Sequence, residues 1–142
     1  MKVSRLPHEA TQSFRLPFFA TSVAAGFPSP ADDYIETGLD LNEYLVKHPS
    51  STFLAKASGD SMARAGILDG ALLVVDKSIT PKNGHVVIAA INGELTCKIL
   101  DVEHRLLRAA NPGYPSITLD EDTDLLIEGV VVYAINPMTN LA

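Results

Sequence analysis

Two side chains in this sequence are of types that could act together as nucleophile and base, Ser61 and Lys98. Ser61 stands in the segment Lys56-Ala-Ser-Gly-Asp-Ser-Met62, directly after an apolar, strand-like run. A serine nucleophile has to sit on a tight turn, with backbone N–H groups aimed at the oxyanion that develops on the attacked carbonyl. Gly59 permits such a turn. The same composition also makes an ordinary Ser/Gly/Asp surface turn, and the segment alone does not separate the two. Lys98 adds a second group. A lysine of ordinary pKa, about 10.4, is protonated near neutral pH and cannot act as a base. Buried on an apolar face, its charged form loses hydration, and its pKa can fall to roughly 7–8. Such a lysine can take the serine proton directly. The competing reading is an exposed or snorkelling lysine on a solvated sheet face.

The other candidates are weaker. His8, His48, His85 and His104 show no metal-ligand spacing, and Cys97 is the single cysteine, so no metal site is expected. His85 could serve Ser61 as a base only with an orienting carboxylate, to which the sequence does not point. Asp120, Glu121, Asp122 and Asp124 read as a solvated acidic loop. There is no phosphate-binding glycine loop and no dinucleotide fingerprint, so no cofactor is expected.

The elements that must position Ser61 and Lys98 are mainly strands. Asp40 can cap a short helix, with Glu43 as capping-box partner and Leu41, Tyr44 and Leu45 on one face; His48-Pro49 ends it. Apolar, β-branched runs follow at 53–57, 71–76, 85–91, 94–101, 106–110 and 125–135, separated by turn residues such as Gly70, Pro81 and Asn111-Pro112-Gly113. Asn92-Gly93 between two alternating runs predicts a two-residue hairpin loop, because both loop residues must take positive φ. That register sets Ile91 opposite Glu94, Ala89 opposite Thr96 and Val87 opposite Lys98. One face then carries Val86, Ile88, Ala90, Leu95, Cys97 and Ile99 and must be core. The other sets Lys98 among Val87, Ala89, Thr96 and Leu100. The expectation is a curved, largely antiparallel β body over residues 39–142. Residues 1–38 read as an irregular arm, with Pro7, Pro17, Pro28 and Pro30 and no sustained period.

Composition narrows the function. The chain has 142 residues, 46% hydrophobic and 20% charged, enough apolar content for one packed domain. A net charge of −6 runs against a protein that holds DNA through its phosphates, so a role in DNA metabolism would run through protein partners. The single cysteine excludes an intramolecular disulfide and fits a reducing cytoplasm. No run approaches the ~18–20 apolar residues that span a bilayer. Leu16–Gly26 is apolar with small residues at its end, as before a signal-peptide cut, but Arg15, Pro17, Thr21 and Ser22 border or interrupt it and Glu9 is misplaced for a basic leader.

Three segments in order resemble the LexA/UmuD family of self-cleaving serine–lysine proteins: Ala25-Gly26-Phe27-Pro28-Ser29-Pro30-Ala31, then 56–62, then Gly93-Glu-Leu-Thr-Cys-Lys98. Asp40-Leu41-Asn42, His48-Pro49-Ser50, Gly66-Ile67, Asp69-Gly70 and Gly129-Val130-Val131 extend the likeness over roughly residues 14–135. The resemblance implies the family's β fold, with Ser61 as nucleophile, Lys98 as general base and Ala25–Gly26 as the bond cut. The backbone N–H groups of Asp60 and Ser61 would form the oxyanion hole. It further implies a cytoplasmic homodimer, cleavage stimulated by a RecA–single-stranded DNA filament in the SOS response, and a trimmed form that joins a UmuC-like Y-family translesion polymerase. A repressor would need a helix-turn-helix before the cut, which the proline-interrupted residues 1–25 do not provide. Two other functions remain open at this level: a non-catalytic dimeric binding module, and a trans-acting Ser–Lys peptidase.

Overall fold

The computed structural model describes residues 1–6, 15–19 and 36–139; the expected cleavage site Ala25–Gly26 lies outside them. Two compact units make up the chain, Glu9–Lys47 and a larger one of Met1–His8 with His48–Ala142. The smaller contains β2 (Leu16–Phe19) paired antiparallel with β3 (Glu36–Leu39), and then the helix α1 (Leu41–Leu45). Asp40 caps α1 as the sequence predicts, its carboxylate accepting from the N–H groups of Asn42 at 3.0 Å and Glu43 at 3.4 Å.

The larger unit is one antiparallel sheet. Its strands are β1 (Lys2–Leu6), β4 (Thr52–Ser58), β5 (Leu72–Asp76), β6 (Val86–Ile91), β7 (Glu94–Asp101), β8 (Leu106–Arg108), β9 (Ile117–Thr118) and β10 (Leu125–Ile135). They lie in the order β1-β4-β5-β10-β6-β7-β8-β9, and β1 also pairs with β7 at Lys2 and Thr96. The sheet therefore closes on itself through β1. The arm read as irregular thus contributes a strand: Lys2–Leu6 pairs along β4 from Ser58 to Leu54.

The hairpin register is the expected one. Val87 lies opposite Lys98 and Ile91 opposite Glu94, around Asn92 at φ 49° and Gly93 at φ 85°. Burial differs from the expectation in one respect: both faces of β6 and β7 are covered. Ile88 and Cys97 pack with Ala55, Ala57, Met62 and Leu73 in one cluster, while Val87, Ala89 and Leu100 pack with Leu107 and Val130 in another. Sheet closure supplies one covering layer, and β8 with the segments after it supplies the other. Lys98 is thereby buried, with 6% of its surface exposed.

β10 crosses from β6 to β5 with register shifts between Ile127 and Gly129 and between Val131 and Tyr133. Such shifts bend a strand. Gly129 sits at the bend because a Cβ there would lie 2.7 Å from Val75 Cγ1 and 3.2 Å from the Asp76 carbonyl oxygen.

Candidate functional site

Ser61 belongs to the turn that leaves β4. Gly59 makes the reversal at φ 93°, and its N–H donates to the Asp69 carboxylate at 2.8 Å. The following 3-10 turn, Ala63–Ala65, closes on Gly66 at φ 85°. Met62 is fully buried in the core and pins the turn from below, leaving Ser61 itself with no exposed surface.

Lys98 comes from the middle of β7 and reaches the same point. Its Nζ donates to Ser61 Oγ at 3.2 Å, across 37 positions of sequence. That separation suits proton transfer between a nucleophile and its base. β1 lies alongside. The Met1 carbonyl accepts from Thr96 Oγ1 at 3.1 Å, and the Lys2 carbonyl accepts from Ser58 Oγ at 3.2 Å. The Met1 amine is held below its usual pKa, first by burial and then by the charge of Lys98 and a hydrogen bond with it.

A loop that the sequence presented only as the Asn111-Pro112-Gly113 turn holds the other side of the nucleophile turn. The Ala110 N–H donates to the Ser61 carbonyl at 2.8 Å, and the Arg64 N–H donates to the Ala110 carbonyl at 2.9 Å. Asn111 Nδ2 donates to the Asp60 carbonyl at 2.9 Å, and the Tyr114 hydroxyl donates to the Asp60 carboxylate. That bond, with the Asp60 charge, raises the Tyr114 pKa by favouring the neutral phenol. Asn111 and Tyr114 escaped the sequence reading because turn composition does not say what a turn packs against. Among the described residues, the N–H groups of Asp60 and Ser61 take part in no backbone hydrogen bond.

The three histidines among the described residues bond elsewhere. His48 Nδ1 meets the Asp76 carboxylate at 2.5 Å, His104 meets Asp101 at 2.9 Å, and His85 Nδ1 accepts from the Lys82 N–H at 3.1 Å. None of the three bonds Ser61. Cys97, beside Lys98 in sequence, is fully buried on the opposite face, and burial pushes its thiol up to about 12. Among the described residues no cluster of His, Cys, Asp and Glu could hold a metal ion, and no helix is long and apolar enough to cross a membrane.

A serine hydroxyl within hydrogen-bond reach of a buried lysine amine is an arrangement that can act on a peptide bond. The Peptidase S24-like family matches residues 17–132. Over 126 residues the chain is 44% identical to Protein SamA of Salmonella typhimurium, covering 88% of each chain. It is 43% identical over 124 residues to Protein ImpA of Escherichia coli, covering 87% of this chain and 86% of that one. Protein MucA of Escherichia coli is 40% identical over 128 residues, with 89% and 88% covered. The chain belongs to the Peptidase S24-like family. It is a UmuD-like protein of the SOS-mutagenesis class, built on the fold of the self-cleaving serine peptidases.

Proposed function

We propose that this chain cuts its own Ala25–Gly26 bond, with Ser61 as nucleophile and Lys98 as general base. The observation that carries the reading is the 3.2 Å contact between Lys98 Nζ and Ser61 Oγ in a site where both are buried. With its amine unprotonated, Lys98 takes the Oγ proton as Oγ attacks the Ala25 carbonyl carbon. The N–H groups of Asp60 and Ser61 donate to the oxyanion. Lys98 then returns the proton to the Gly26 nitrogen as the C–N bond breaks, leaving an ester between Ala25 and Ser61. Water, deprotonated by the same lysine, hydrolyses that ester. Because substrate and catalyst share one molecule, a high effective molarity makes a modest dyad sufficient.

Cleavage requires a state in which the Ala25–Gly26 bond is seated at Ser61. A RecA–single-stranded DNA filament that binds this state more tightly accelerates the reaction by shifting the population. The trimmed form, Gly26–Ala142, acts in the cytoplasm as a homodimer and joins a UmuC-like Y-family polymerase in translesion synthesis. Similarity to SamA, ImpA and MucA over most of each chain supports this role.

Intact mass after incubation near neutral pH and near pH 10, beside Ser61→Ala and Lys98→Ala, tests the dyad. Loss of residues 1–25 from the unaltered chain alone, faster at the higher pH where more lysine is unprotonated, is expected. A chain that stays whole even with RecA, ATP and single-stranded DNA sinks the protease reading and leaves a dimeric binding module. Rapid cutting of an added peptide would instead mark a trans-acting peptidase.

A further inference from the structure

We infer that Asn111 is a positioning residue for the oxyanion hole, acting through the peptide plane between Asp60 and Ser61 and assisted by Tyr114. This rests on the self-cleavage reading and adds residues to it. A peptide unit is planar and trans, so its N–H points opposite to its C=O. The carbonyl of Asp60 and the N–H of Ser61 belong to one such unit. Whatever fixes that carbonyl aims that N–H. The carbonyl accepts from Asn111 Nδ2 at 2.9 Å and from the Ala63 N–H at 3.1 Å. The next unit is fixed in the same way, by the Ala110 N–H on the Ser61 carbonyl at 2.8 Å.

Asn111 is itself held. Its Oδ1 accepts from the Gly113 N–H at 3.1 Å, and its carbonyl accepts from the Tyr114 N–H at 3.1 Å. This turn presents the amide to Asp60 and brings the Tyr114 hydroxyl onto the Asp60 carboxylate. The arrangement anchors both the backbone and the side chain of the residue before the nucleophile from one loop. A donor aimed in advance costs no reorganisation when charge develops, whereas a freely rocking peptide unit has to be oriented during the reaction.

Asn111→Asp separates positioning from mere loop structure. It keeps the Oδ1 acceptor for Gly113 but replaces the Nδ2 donor with an oxygen that repels the Asp60 carbonyl. Removing an oxyanion donor outright slows catalysis roughly 100- to 1,000-fold, and misaiming one is expected to slow self-cleavage by about 10- to 100-fold. Tyr114→Phe is expected to slow it by a few-fold. The assay is the first-order loss of residues 1–25, followed by intact mass from about pH 7 to 10.5, with denaturant stability measured on each variant. The expected result is a lower rate for Asn111→Asp at every pH and little change in stability. A rate within twofold of the unaltered chain overturns the inference. So does a fall that follows lost stability, since that marks general loosening of the Ser61–Lys98 pair. If the unaltered chain shows no cleavage that depends on Ser61 and Lys98, the underlying reading fails and this inference with it.

Discussion

Cys97 offers a quantitative check on the packing that supports Lys98. The two residues are adjacent on β7, so their side chains leave opposite faces of the strand. Cys97 has no exposed surface, and burial raises its thiol to about 12, outweighing the opposing pull of the Lys98 charge. At about pH 8 a free cysteine of pKa ~8.5 is roughly one-quarter thiolate, whereas a thiol at about 12 is thiolate in about one molecule in 10,000. Ionisation alone therefore slows alkylation about 2,000-fold relative to the unfolded chain, and occlusion of the sulfur slows it further. The assay is iodoacetamide labelling followed by intact mass, native against concentrated guanidinium chloride. Labelling of the native protein within tenfold of the unfolded rate would refute the packing described for β7.

Three further outcomes follow from particular contacts. Gly129→Ala sets a Cβ 2.7 Å from Val75 Cγ1 and 3.2 Å from a backbone oxygen, so a loss of about 1–3 kcal/mol is expected in denaturant unfolding. Burial would raise the pKa of Asp76, but hydrogen bonds from His48 and Ser78 outweigh this and hold it below the usual carboxylate range. Its contribution to stability is thus complete above the unfolded value and is lost as pH falls through the lower folded value. His48→Ala should lower neutral-pH stability by about 1.5 kcal/mol and move the acid unfolding midpoint to higher pH; an unmoved midpoint contradicts the pairing. Tyr114, bonded to Asp60, should ionise above a free tyrosine by absorbance titration, and Asp60→Asn should bring it down.

Much of the fold was legible because its strongest signals are local. Asn92-Gly93 fixed a loop, and the loop fixed the pairing of every residue from Val86 to Ile99. Asp40 announced α1 by cap chemistry alone. What escaped depends on partners distant in sequence. Lys2–Leu6 is short and mostly polar, with Lys2, Ser4 and Arg5 exposed, and only its pairing with Leu54–Ser58 makes it a strand. Likewise β2 contains Pro17, which a sequence reading takes as an interruption but an edge strand tolerates. The candidate site divides along the same line. The residue types at 61 and 98 and their motifs were readable, but the sequence left a solvated face open for Lys98, and only the fold shows it buried. Asn111 and Tyr114 had no signal beyond turn composition.

The sheet order explains why this pair of residues is sensitive to its surroundings. Ser61 follows β4 and Lys98 lies on β7, and these strands are not neighbours except through β1. The Ser61–Lys98 contact therefore lies across the seam where the sheet closes, not along a continuous hydrogen-bonded ladder. On the β7 side the seam is thin, with the single pairing of Lys2 with Thr96 beside the Thr96–Met1 hydrogen bond. Within a ladder, distances are held by many cooperative bonds, but across a seam a small shift of either wall changes the 3.2 Å separation directly.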